Sequence, residues 1–160
     1  MNNKIIALGE LASASKRIRQ AGKKLVVTNG CFDLLHVGHI RYLRSARELG
    51  DVLVVGLNGD RSVGELKGTG RPVNNEKDRA EVLAALECVD LVVIFPEVRA
   101  TRFLETAAAD IYVKGGDYTA DTLDQGERAA LEKAGTEIRI IPFEPGYSTS
   151  GLIKKLKATE

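Results

Sequence analysis

The chain holds two histidines, three residues apart, in His36-Val37-Gly38-His39. They close the stretch Thr28-Asn29-Gly30-Cys31-Phe32-Asp33-Leu34-Leu35, which follows the apolar run Leu25-Val26-Val27. That run reads as a buried parallel strand, and the apolar positions of the segment 40–49 recur at helical spacing. The pattern is a strand–loop–helix turn with both imidazoles where the helix begins. A helix start presents unpaired N–H groups and the positive end of the macrodipole, a ready place for phosphate. Residues three apart share a helix face, so His36 and His39 can address one anion. Gly38 removes a side chain where a ligand could approach the backbone. A single histidine at a helix start often only caps it; the pair flanking a glycine is what points to a nucleotide triphosphate.

Later loops add Lys67, Arg71, Lys114 and Asp117, and a hydroxyl cluster, Tyr147-Ser148-Thr149-Ser150, at another helix start. Cations, imidazoles and helix N-termini suit a polyphosphate. Asp33 and Asp117 suit sugar hydroxyls, a Mg²⁺ ion or a lysine partner. Gly68-Thr69-Gly70-Arg71 lacks the ending of a Walker A loop. No GxGxxG follows the first strand and no GxSxG elbow occurs. His36-x-x-His39 could be half of a zinc site, yet no third ligand stands at convincing spacing, so no metal held directly by protein ligands is expected.

The elements that must position these residues alternate. An amphipathic helix is expected over 8–21, then the histidine turn, a helix closed by Gly50, and a strand over 51–58. A glycine-rich charged loop is expected over 59–75, and a helix over 76–86 capped by Asn75. Strands over 91–95, 111–113 and 137–141 alternate with helices over 101–108, 125–134 and 149–156. This gives an α/β fold, a Rossmann-like, doubly wound parallel sheet of five strands. Ligands of such sheets sit beyond the carboxyl ends of the strands, where the loops Thr28–His39, 59–71, 114–118 and 143–150 should converge.

At 160 residues the chain suits a single domain, with a leading helix over 1–22 and a core over 23–157. A formal net charge of +1, few aromatics and no Trp argue against nucleic acid. There is no apolar run long enough for a membrane or a signal core, so a cytoplasmic location is expected. Cys31 and Cys88 lack metal-ligand spacing and fit a reduced compartment.

Asn29-Gly30-Cys31-Phe32-Asp33 with His36-Val37-Gly38-His39 resembles the signature of the cytidylyltransferase-like nucleotidyltransferases. Lys67-Gly68, Arg71-Pro72, Arg79, Val89-Asp90, Val113-Lys114-Gly115-Gly116-Asp117-Tyr118 and Pro145-Gly146-Tyr147-Ser148-Thr149-Ser150 follow in the order of the branch that adenylylates heptose 1-phosphate. The resemblance implies AMP transfer from ATP to a sugar 1-phosphate with Mg²⁺, in lipopolysaccharide precursor synthesis, by a homodimer. It implies that His36 and His39 hold the triphosphate and that Cys31, Phe32 and Gly38 line it. Asp33 would lie near the reacting phosphates or the acceptor. Lys67, with Arg71 as a lesser candidate and Lys114 beside them, would contact transferring or acceptor phosphate. Gly116 and Asp117 would border the nucleoside, and Ser148, Thr149 and Ser150 would grip pyrophosphate.

The segment 96–102 departs from the acidic loop of the heptose enzymes, so no acceptor contact is assigned there. Glu87 stands where cytidylyltransferases often carry a basic residue, which favours ATP over CTP. Two other readings remain: a cytidylyltransferase acting on glycerol 3-phosphate or a similar alcohol phosphate, and a nucleotide-binding regulator without turnover.

Overall fold

The computed structural model describes residues 3–116 and 119–159. Among them, six strands form one parallel sheet: β1 (Ile5–Ile6), β2 (Leu25–Gly30), β3 (Val52–Asn58), β4 (Leu91–Phe95), β5 (Ile111–Gly115) and β6 (Glu137–Ile141). The order across the sheet is β1-β4-β3-β2-β5-β6. The chain therefore winds outward from β2 to β3 and β4, then returns to place β5 on the other side of β2. The strand order switches between β2 and β5, where a crevice forms in such sheets.

Alternate residues of each central strand feed two cores. Leu25, Val27, Val54, Val93, Phe95 and Tyr112 face one side, where α1 (Leu8–Gln20), α5 (Thr101–Ala107) and α6 (Gln125–Ala134) pack through Leu11, Phe103, Leu104 and Leu131. Val26, Leu53, Val55, Leu57, Val92 and Val113 face the other, against α2 (Val37–Arg47) and α4 (Glu76–Ala84) through Leu43, Ala46, Ala80 and Leu83. Burial on both faces explains why these strands read as continuous apolar runs.

The structure corrects the sequence reading at three places. The sheet has a sixth strand, β1, paired Ile5↔Val92 and Ile6↔Val93. Two residues carry no detectable period, so this edge strand is written in its partner rather than in itself. The segment 59–75 contains a helix, α3 (Asp60–Lys67). Val63 is its one buried large apolar residue, and tertiary polar contacts hold it in place of an apolar stripe. The Glu76 carboxylate accepts from the Asp60 N–H at 2.7 Å, and Arg79 pairs with the Asp60 carboxylate at 2.8 Å. Finally, Gly50 does not cap α2, which ends at Arg47 with Glu48 as its cap. A β-carbon at Gly50 would come within 2.9 Å of the Lys24 carbonyl oxygen, so glycine is there for space.

Candidate active site

The histidine turn sits at the carboxyl end of β2, with His36 as the N-cap of α2. The Gly38 N–H donates to His36 Nδ1 at 3.1 Å, and the His36 N–H donates to His39 Nδ1 at 3.3 Å. The two rings lie 3.9 Å apart between centroids. Burial lowers the His36 pKa from its ordinary value. Burial, then the neighbouring His36, pushes His39 down to about 4. Both rings are therefore neutral at neutral pH. A neutral ring that accepts at Nδ1 carries its proton on Nε2. The turn thus presents two Nε2–H donors and the head of α2 together. Gly38 makes room for this arrangement, since a β-carbon there would lie 2.9 Å from the His36 ring and 3.0 Å from the Tyr147 β-carbon.

One flank of the turn is open. The last helix, α7 (Thr149–Lys157), begins beside it, capped by Ser148, whose hydroxyl accepts from the Gly151 N–H at 2.9 Å. Thr149 donates to the Leu34 carbonyl at 3.1 Å, which fastens the head of α7 to the loop after β2. Tyr147 stacks toward His36 at 6.3 Å, and Arg41 covers the Tyr147 ring while pairing with Glu144. Ser150 is exposed at the head of α7. Beyond them Gly115, the last residue of β5, and Gly116 after it lie under the ring of Phe143. Lys114 precedes these glycines; burial lowers its pKa, with Glu127 opposing. Tyr42 and Asn29 brace the switch point. The Tyr42 hydroxyl, its pKa raised by burial, donates to the Val113 carbonyl at 3.1 Å, and Tyr112 donates to Asn29 Oδ1 at 2.7 Å.

The other flank is filled. The Asp33 side chain is 1% exposed. It accepts from Arg71 Nε at 2.7 Å and from the N–H groups of Val73 and Asn74 at 2.8–3.0 Å. Burial alone would raise this carboxyl, but the backbone donors of Asn74 and Val73 and the Arg71 guanidinium outweigh it and hold the pKa below its ordinary value. Arg79, with a side chain 1% exposed, pairs with Asp60 at 2.8 Å. It also donates to the carbonyls of Cys31, Asn58 and Asn74 at 2.7–2.9 Å. One guanidinium thereby ties together the ends of β2 and β3 and the loop before α4.

Asp33, expected near the reacting phosphates or the acceptor, has its carboxylate bonded to the 71–74 backbone and to Arg71. Lys67 is exposed at the last turn of α3. Burial raises the Cys31 thiol, opposed first by Lys67 and then by Arg79 and Arg71, so Lys67 lies within electrostatic reach of the loop after β2. Phe32 takes a left-handed φ of 44° and buries its ring. Asp117 lies outside the described residues. Arg79 was visible only as a member of a motif and had no role assigned. Its signal is an arginine on the same helical face as Leu83, four residues on, inside an otherwise buried stripe. Among the described residues no group of three His, Cys, Asp or Glu side chains is placed to hold a metal ion. A hollow of about 260 Å³ beyond β3 and β4 is lined by Asp60, Arg61, Glu65, Glu76 and Glu97.

A comparison with protein families matches residues 27–155, from β2 into α7, to the family described as cytidylyltransferase-like. The chain belongs to the cytidylyltransferase-like family. By class it is a nucleotidyltransferase, and the histidine turn and the head of α7 both fall within the matched span. The bifunctional protein HldE of Campylobacter fetus is 51% identical over 154 residues, which cover 96% of this chain and 31% of that relative. HldE of Citrifermentans bemidjiense is 50% identical over 155 residues, 97% of this chain and 31% of the relative. The chain thus spans about a third of the length of the curated relatives it matches. Among solved structures, a lipopolysaccharide core biosynthesis protein from Thermoplasma volcanium superposes with a TM-score of 0.63 at 28% identity, over 77% of this chain and 98% of that one.

Proposed function

We propose that the chain acts as one nucleotidyltransferase domain that transfers AMP from ATP to a sugar 1-phosphate, D-glycero-β-D-manno-heptose 1-phosphate. The products are ADP-heptose, for lipopolysaccharide precursor synthesis, and pyrophosphate. The observation that carries this reading is the pair of neutral Nε2–H donors at the head of α2, set beside the head of α7. Two donors and two helix N-termini suit a chain of phosphates better than a single anion. Similarity to HldE and to a lipopolysaccharide core biosynthesis protein supports a place in lipopolysaccharide precursor synthesis.

In the reaction an oxygen of the sugar phosphate attacks the α-phosphorus of ATP in line. One P–O bond forms as the bond to the bridging oxygen breaks, and pyrophosphate takes the electron pair. A phosphate monoester has a second pKa near 6, so the nucleophile is already anionic and needs no base. Orientation and charge stabilisation then supply the rate. His36 and His39 donate to the β- and γ-phosphates, and the Gly38 side of the turn and the Cys31–Phe32 backbone line them. Ser148, Thr149 and Ser150, at the head of α7, hold the departing pyrophosphate. Lys67 and Lys114 neutralise acceptor and transferring phosphate, and Gly116 and Asp117 border the nucleoside. Asp33 and Arg71 act by fixing the 71–74 segment that follows α3. Mg²⁺ arrives as part of the Mg–ATP substrate, held by phosphate oxygens and water. The reading places the reaction in the cytoplasm, by a homodimer. No described helix is long and apolar enough to cross a membrane.

The test is pyrophosphate release with Mg²⁺, crossing ATP and CTP against heptose 1-phosphate and glycerol 3-phosphate. Release with ATP and the heptose phosphate alone is expected. Release only with CTP and glycerol phosphate would overturn the substrates, and ATP binding without release in any combination would overturn the activity.

A further inference from the structure

We infer that Phe143 is the residue on which the nucleobase stacks, a role that rests on the nucleotide reading above and adds a specific contact to it. A nucleotide whose phosphates lie at the head of α2 must extend its nucleoside along the carboxyl edge of the sheet. Toward β3 the way is closed, because Arg79, Asp33 and Arg71 fill that flank with paired, buried charge. Toward β5 the edge is a backbone floor, Gly115 and Gly116, the latter at a φ of 96°, with the Tyr42 ring beside Gly115. A β-carbon at Gly115 or Gly116 would lie 2.8 or 2.5 Å from the Phe143 ring. One side of that ring therefore rests on both glycines.

The rest of the ring is open. Phe143 is 65% exposed, the most exposed large apolar side chain among those described. An aromatic with one part on a glycine floor and most of its surface in water is unfavourable in the unliganded protein and well placed to cover a flat, apolar partner. With the ring seated on the two glycines, the base stacks on the part of the ring turned away from them. The same short loop that carries Phe143 carries Tyr147, stacked toward His36, and Ser148, the cap of α7. Glu144, next to Phe143, is held by Arg41 of α2. One loop thus connects the phosphate donors to the aromatic ring, so base and phosphate contacts form together. Stacking of a base on an aromatic ring is worth about 1–3 kcal/mol by alanine substitution, which is roughly a 5- to 150-fold change in affinity.

The chain contains no tryptophan, so Phe143→Trp places the sole indole at the site. The variant is titrated with ATP and, separately, with tripolyphosphate, while calorimetry follows binding independently. ATP should quench and shift the indole emission with the calorimetric dissociation constant, and tripolyphosphate should bind without that change. Phe143→Ala should bind ATP about tenfold more weakly and tripolyphosphate within twofold of the unaltered chain. ATP bound by calorimetry with a silent indole, or equal weakening of ATP and tripolyphosphate by Phe143→Ala, would overturn the role of Phe143 alone. No ATP binding by the unaltered chain would overturn the nucleotide reading and this role with it.

Discussion

The two flanks of the β2 turn put their polar side chains to opposite uses. Toward β3, Asp33, Arg71, Arg79 and Asp60 are charged, and the guanidiniums and the Asp33 carboxylate are spent on one another and on backbone groups. Toward β5, the histidines are neutral and half-buried, and their Nδ1 atoms are used so that their Nε2–H groups are left to a ligand. The difference teaches that formal charge is a poor guide to which residues do chemistry here. On the proposed reading, buried paired charge builds the frame, while the neutral histidine donors and the exposed Lys67 face the substrate.

That contrast can be broken most severely at His39. Replacing it with Ala should lower turnover about 10²–10³-fold, roughly 3–4 kcal/mol of transition-state stabilisation, with little change in urea unfolding. Equal loss of stability and turnover would put His39 in the frame. Arg79→Met should do the reverse, with a stability loss on the order of 3 kcal/mol in urea melts, because Asp60 and three carbonyls lose their partner. Asp33→Asn, which keeps the shape but loses charge-assisted bonds from Arg71 and two N–H groups, should cost about 2 kcal/mol of stability. If its unfolding were unchanged while the KM for the acceptor phosphate rose, Asp33 would belong to the site after all.

Acid sharpens the same comparison. His39 titrates at about 4 when folded against an ordinary 6.5, so the unfolded chain takes up its proton first. Stability should therefore fall as pH drops from 6.5 toward 4. The Asp33 pKa is held below its ordinary 3.8 when folded, so its contribution is present above that value and is lost as pH falls through the lower folded one. Thermal melts of the unaltered chain and of His39→Gln across this range should differ in the upper window only. At the small end, Arg61→Ala removes an exposed i,i+4 pair with Glu65 and should change stability by less than about 0.5 kcal/mol.

Much of this was legible in the chain itself. Runs such as Val52–Asn58 and Leu91–Phe95 read as strands because both faces are buried, and Asn75 and Ser148 cap helices because their side chains offer an acceptor at the right offset. The histidine turn stood out for the same reason, as spacing that only a helix start makes meaningful. What escaped depends on partners distant in sequence. β1 is two residues whose strand character lies in β4, and α3 is held by Glu76, 16 residues beyond Asp60. The orientation of Asp33 is set by backbone donors about 40 residues on, and an aspartate beside a phosphate turn looks identical whether it faces in or out. Phe143 reads as an ordinary apolar residue until the glycine floor is seen beneath it.

With only two histidines in the chain, the imidazole nitrogens can be followed directly by ¹⁵N–¹H NMR at pH 7, before and after ATP. The account predicts two neutral rings with the proton on Nε2 in the free protein, and shifts at both Nε2–H groups when ATP saturates the site. Rings protonated on Nδ1, or Nε2–H signals that ignore bound ATP, would contradict it.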